Sequence, residues 1–272
     1  MKQRTITAII MASVAIALLA IGGVVLAAGI VAIICFAVYE EYSVLTKAGH
    51  HPVSWPTWTG MALSVPLLAL GGSKLLIAVA IGVALLTVMC VVFRPDPKLE
   101  DVCYSLLPFV SVVLPGMAML ALTGIRPKSV QLTYMALMIV IPCVGDIFAL
   151  YVGTTLHGPK LCPAVSPNKT ISGAVGGLIG SLLAALLVGG CAWMLAVNSR
   201  EVLPAWGHYI LLGLIGGAAG QLGDLFASLI KRHCGVKDFS NLFPGHGGMM
   251  DRLDSVLFMA VIVFCYRMLV AL

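Results

Sequence analysis

Between Arg4 and Glu40 the chain carries no Asp, Glu, Lys or Arg. Similar charge-free runs cover 75–93, 102–125, 129–145, 170–199 and 202–223, and 52–73 is uncharged with its apolar part beginning near Met61. A last run from Ser255 to the C-terminus is broken only by Arg267. A helix rises about 1.5 Å per residue and a bilayer core is about 30 Å thick, so roughly 20 apolar residues make one crossing. Backbone polar groups cannot stay unpaired in lipid, which makes these runs helices. Residues are 60% hydrophobic and 10% charged, with a mean hydropathy of +1.07. Soluble domains hold about 25% charged residues. Disorder, a nucleic-acid-binding module and a disulfide-stapled secreted domain are excluded on that balance. The chain reads as an all-α polytopic integral membrane protein.

The first run is too long for one crossing, since Ile6 to Val38 would span roughly 50 Å as one helix. Gly22-Gly23 lies at its middle, where two short helices can turn on each other. A signal peptide is the alternative, but its apolar region runs only about 7–15 residues. Two spans here give about nine in all, with the N-terminus cytoplasmic and the C-terminus outside. Lys2, Arg4, Lys47, Arg94, Lys98, Lys160, Lys169, Lys231, Arg232, Lys237 and Arg252 then face the cytoplasm. Lys74, Arg126, Lys128, Arg200 and Arg267 face outward, 11 of the 16 basic residues against 5. Reading the first run as one helix reverses the bias to 7 against 9, so the positive-inside rule favours nine spans. The expected organisation is an N-terminal region, 1–130, of about five spans, followed by a catalytic region, 131–272, with cytoplasmic loops at 153–170 and 228–250.

The eight Cys form no C-x-x-C pair and mostly lie in apolar runs, where a thiol packs as a small hydrophobe. His50 and His51 sit beside Trp55 and Trp58 after a span, an interfacial setting that needs no function.

Polar residues gather in two stretches on the expected cytoplasmic side, Asp146–Gly173 and Gln221–Ser255. In the second, Asp224, Ser228 and Lys231 are four and then three apart, on one helical face, and Asp251 and Asp254 share a face at the start of the last span. Between them lie Arg232, Lys237, Asp238, His246 and the turn-forming Pro244, Gly245, Gly247 and Gly248. Basic residues after a span are often topological anchors, and paired glycines are often only turns. A carboxylate in an apolar helix, as at Asp224 and Asp146, costs several kcal/mol unless partnered and marks function. Carboxylates at helix ends beside a basic, glycine-rich loop suit magnesium, which takes one or two carboxylates plus substrate phosphates.

The run from Ser228 to Asp254, S-L-I-K-R-x4-K-D-x-S-x2-F-P-x-H-G-G-M-x-D-R-L-D, resembles the signature of the phosphatidate cytidylyltransferases (CDP-diacylglycerol synthases). Gln221-Leu-Gly-Asp224 extends the match upstream. Asp146, Ala149, Gly153, Lys160-Leu161, Pro163 and Ser166-Pro-x-Lys-Thr170 resemble the family in the first stretch. Three positions depart: Leu150 and Thr154 stand where the family carries an aromatic and a basic residue, and Ser172 where it carries an acid. The resemblance implies transfer of the cytidylyl group of CTP to phosphatidic acid, at the cytoplasmic face of a bacterial cell membrane. It implies magnesium on Asp224 and Asp251, with Asp146 as a further ligand and Asp254 beside them. Asp224, Asp251, Lys231 and Asp254 are the expected catalytic residues. Ser166, Lys169, Ser228, Arg232, Lys237, Asp238, His246 and Arg252 are the expected contacts to the two substrates. Gly173, Gly176, Gly177 and Gly180, and Gly216, Gly217 and Gly220, permit close helix packing, within one chain in the preferred reading and across a homodimer in the other. Competing readings are a CTP-dependent enzyme of another lipid, of polyprenol kinase or CDP-archaeol synthase type, and a transporter. A transporter would place its polar groups near the midplane of two related halves, and no internal repeat is found.

Overall fold

The computed structural model describes residues 2–71, 73–195 and 203–270. Arg200 lies outside them, as do the side chains of Lys2, Arg4 and Lys74. Nine helices form among the described residues: α1 (Lys2–Ile21), α2 (Gly23–Lys47), α3 (Trp55–Gly71), α4 (Ser73–Val92), α5 (Leu99–Leu122), α6 (Lys128–Leu156), α7 (Ile171–Leu195), α8 (Trp206–His233) and α9 (Met250–Val270). Of these α2, α5, α6, α7, α8 and α9 are long and apolar enough to cross a bilayer, and Thr5–Ile21 and Ile77–Val92 are shorter apolar helices. The chain is a helical polytopic membrane protein.

The break expected at Gly22-Gly23 is present. Gly22 takes φ 70° and ψ −160° and Gly23 φ 55°, backbone that a side chain resists. The chain then turns back, because a Cβ on Gly29 would lie 2.8 Å from Leu18 Cδ1. In one continuous helix residues that far apart in sequence stand roughly 16 Å apart.

By packing, the chain forms two units. The first holds residues 1–121 and 233–251, so the loop before α9 belongs with the first five helices rather than with the C-terminal region. Its core includes Ile34, Ala37, Val38, Leu45, Val112 and Val113. The Tyr42 hydroxyl lies 2.7 Å from the Ser105 carbonyl and 2.8 Å from the Thr57 hydroxyl, tying α2 to α3 and α5. Residues Phe109–Val113 of α5 widen into a π turn. Pro115, just beyond, has no N–H to return to the Ser111 carbonyl, so regular α pairing is lost at this level. The turn directs the Ser111 hydroxyl to the buried Glu41 carboxylate, 2.8 Å away.

The second unit holds residues 122–232 and 252–272. The stretch expected as a loop at 153–170 is the last turn of α6 and then an antiparallel hairpin, β1 (Lys160–Cys162) and β2 (Ser166–Thr170), with Lys160 opposite Thr170 and Cys162 opposite Ser166. Glycine seams bring its helices together. Gly173 approaches the Ala149 carbonyl and Gly153 Cα, Gly176 abuts Val152, and Gly180 abuts Phe148. Gly217 of α8 rests on Ser181 of α7, and Gly216 and Gly220 meet Met259 and Ser255 of α9. The glycines singled out in the sequence are therefore used for packing within the chain.

Candidate active site

In the second unit β2 and α8 meet at an ion pair. Lys169 Nζ stands 2.5 Å from Asp224 Oδ2, each side chain about a quarter exposed (27% and 28%). Ser228, one turn after Asp224, sets its hydroxyl 3.5 Å from Asp224 Oδ1, as their shared face requires. The hairpin delivers Lys169 because its own ends are tied down. Thr170 Oγ1 accepts from Gly173 N at 3.1 Å, capping α7, and Ile171 N donates to the Pro159 carbonyl at 2.9 Å. Ser172 hydrogen-bonds the His157 carbonyl. Where the resemblance leads to the expectation of an acid, this chain has a tie across the hairpin base. Thr154 turns its hydroxyl back on its own helix, 2.8 Å from the Leu150 carbonyl.

Around that pair the charges of Asp146, Asp224 and Asp254 act on one another, and those of Lys169, Lys231 and Arg252 oppose them. Lys231 is only 8% exposed. Asp254 Oδ1 accepts from Ser255 N at 2.7 Å, holding the carboxylate at the first turns of α9. Arg232 directs Nε toward the Val165 carbonyl at 3.4 Å, so α8 also braces the hairpin. Ser166 sits in β2 opposite Cys162. Three acids against three bases, carried by three helices and the polar hairpin beside them, make a site that holds charge of both signs. Such a concentration marks function in an apolar chain.

In the first unit the residues between α8 and α9 form a closed loop. Asp251 is buried, and its Oδ2 accepts from Phe239 N and Gly248 N, both at 2.9 Å. Gly247, at φ 80°, leaves no room for a side chain, since a Cβ would stand 2.8 Å from Asp251 Oδ2. A tight turn runs from Phe243 to Gly247, with His246 N on the Phe243 carbonyl at 2.8 Å and Phe243 N on the Gly247 carbonyl at 2.9 Å. His246 Nδ1 is enclosed with no hydrogen-bond partner among the described residues. Lys237 and Asp238 are exposed on the approach to this turn. Asp251 thus gives one carboxylate oxygen to shaping the loop, a part its sequence position did not announce. Asp251 and Asp254 lie one turn apart on α9, as expected.

Two buried carboxylates escaped the sequence reading. Glu40 is buried and accepts from Ser240 Oγ (2.6 Å), Met249 N (2.9 Å) and Met250 N (2.8 Å). Glu41 is wholly buried against Ser111. The signal was available: both are carboxylates that close a long charge-free run inside a helix, and a carboxylate in an apolar helix is the argument that singled out Asp224. Cys234 fits the packing role expected of the cysteines. Burial and the nearby Glu41 charge push its thiol pKa up, away from the reactive thiolate.

Among the described residues no three His, Cys, Asp or Glu side chains converge closely enough to hold a metal ion by themselves. The carboxylates grouped about Asp224 still fit magnesium, whose usual site takes one or two carboxylates and completes its shell with substrate phosphates and water.

The chain belongs to the cytidylyltransferase family, whose model matches residues 2–270. It is 37% identical over 121 residues to the phosphatidate cytidylyltransferase of Brucella abortus biovar 1 (strain 9-941), covering 44% of this chain and 42% of that one. It is 38% identical over 143 residues to the Bacillus subtilis (strain 168) protein of the same name, covering 51% and 48%. The Aquifex aeolicus (strain VF5) protein, also so named, is 37% identical over 140 residues, covering 52% and 49%. The matched stretch spans about half the length of these curated relatives.

Proposed function

We propose that this chain is a phosphatidate cytidylyltransferase, converting CTP and phosphatidic acid into CDP-diacylglycerol and pyrophosphate. The observation that carries the reading is the Lys169–Asp224 pair set among Asp146, Asp254, Lys231 and Arg252, in a chain of this family. A phosphate oxygen of the lipid attacks the α-phosphorus of CTP. A new P–O bond forms, the bond from the α-phosphorus to the bridging oxygen breaks, and pyrophosphate leaves with that electron pair. An ionised phosphate is already a nucleophile and needs no general base, so the work is positioning and charge neutralisation.

Lys169, Lys231, Arg232 and Arg252 serve to offset the negative charge of the two substrates. Asp224, with Asp254 or Asp146 beside it, would hold magnesium, substrate phosphates and water completing the shell, and Asp251 stays a candidate ligand alongside its part in the loop. The ion supplies charge neutralisation on the triphosphate and its leaving group. Ser166, Ser228, Lys237, Asp238 and His246 offer hydrogen bonds and charge to phosphate and nucleoside, the His246 nitrogen that has no partner among the described residues supporting a ligand contact there. The lipid keeps its acyl chains in the bilayer and its phosphate at the interface. A topology of nine crossings, N-terminus inside, puts these groups on the cytoplasmic side of a bacterial cell membrane, where CTP is.

The test is pyrophosphate release by the purified chain in detergent, with CTP, phosphatidate and magnesium each omitted in turn, beside Asp251→Asn. An Asn amide oxygen in the Oδ2 position still accepts from both loop amides, so this variant removes the charge and keeps those two bonds. Release should require all three components and fall about 100-fold in the variant. Turnover only with a polyprenol or ether-lipid acceptor would replace phosphatidate in this reading, and silence with every lipid would sink it. Cys234→Ser is expected to leave the rate within about two-fold, since a buried thiol held above its ordinary pKa is no nucleophile. A larger loss would give that thiol a part in the chemistry.

A further inference from the structure

We infer that Glu40 is a positioning residue for the reaction, clamping the loop that carries His246 and leads into Asp251. The catalytic half of this inference rests on the activity proposed above. Glu40 is 4% exposed, and the polar hydrogens it accepts all come from residues about 200 positions away. Its Oε1 takes both the Ser240 hydroxyl and the Met249 amide, so a single oxygen pinches together the two ends of the loop. Its Oε2 takes the amide of Met250, the first residue of α9, and so caps that helix from another part of the chain. A Cβ on Gly248 would lie 2.5 Å from Glu40 Oε2, so the clamp also explains why that position has no side chain. Glu40 and Asp251 together hold the loop at Phe239, Ser240, Gly248, Met249 and Met250, and leave the turn with His246 between fixed ends.

Every partner of Glu40 is a donor. Gln in its place sets an amide N–H against one of them, Asp falls a methylene short, and Ala leaves all three without an acceptor. Glu41, the adjacent buried acid, contacts Ser111 and none of these loop donors, so Glu41→Gln is the matched control. The experiment uses the full chain in detergent. It reads kcat and KM per folded molecule from pyrophosphate release, and amide hydrogen exchange over 239–250 by mass spectrometry. In Glu40→Ala, exchange at Met249 and Met250 should rise and kcat should fall, each by about 100-fold, the scale of lost hydrogen bonds to a charged group. KM for CTP should move only a few-fold. Glu40→Gln should fall between, and Glu41→Gln should match the parent in both readouts.

Faster exchange with kcat unchanged would reduce Glu40 to a structural residue and overturn the inference. A lower kcat without faster exchange would also overturn it. If Glu40→Ala does not fold, Ser240→Ala removes one donor, leaves the carboxylate its other bonds, and must shift both readouts in the same direction. If the parent chain itself releases no pyrophosphate, the proposed activity fails, and exchange alone then decides the clamp.

Discussion

Asp224→Asn is expected to lower pyrophosphate release by about a thousand-fold while leaving the chain as stable as before, or slightly more so. The stability half follows from what surrounds the residue. Losing the Lys169 partner costs about 1 kcal/mol, because both side chains are largely buried but still about a quarter exposed, which puts the pair at the upper end of the range for solvent-screened ion pairs. Against that loss, one of three mutually repelling carboxylates disappears, relieving Asp146 and Asp254 by a similar amount. The catalytic half follows from the reaction, since nothing else in the variant restores the lost charge for a cation or keeps Lys169 where β2 delivers it. Thermal unfolding in detergent and initial rates on the same preparation test both halves. A variant that loses activity and also several degrees of melting temperature would make Asp224 a structural residue. Retained activity would remove it from the site.

Much of this was legible before any coordinates. The charge-free runs gave the class of fold, and Gly22-Gly23 gave the first break, because only glycine tolerates the backbone found there. Spacing put Asp224 and Ser228 on one face, and they do meet. Other features were hidden for physical reasons. The hairpin at 160–170 is short and polar, with two prolines and no alternation of apolar residues, so it reads as loop. Glu40 was visible as a charge ending an apolar run, but its partners lie about 200 residues on, and no local pattern encodes such a pairing. Asp251 shows a related limit: sequence marks the carboxylate without revealing that one of its oxygens is occupied by the loop's own amides.

Gly173→Ala is expected to damage the fold out of proportion to its size. The added methyl carbon would lie 2.8 Å from the Ala149 carbonyl oxygen, 3.0 Å from Thr170 Oγ1 and 3.3 Å from Gly153 Cα. Two of those atoms are backbone of α6 and cannot rotate away, so α6 and α7 must separate. Overpacking of this kind costs about 1–3 kcal/mol and at times more, against a gain of about 1 kcal/mol for Ala over Gly in a helix. Between helices in lipid, close packing is itself the main source of association, so the separation is not repaired by burial elsewhere. Gly190 on the same helix is the control, since a Cβ there meets nothing within 4 Å. Gly190→Ala should be neutral or stabilising by up to about 1 kcal/mol. The damage should also reach the chemistry, because α7 starts immediately after β2 and a displaced α7 carries Lys169 away from Asp224. Unfolding midpoints and rates for the two alanine variants separate the effects. Equal stability in both would mean that the α6–α7 crossing is looser than these distances require.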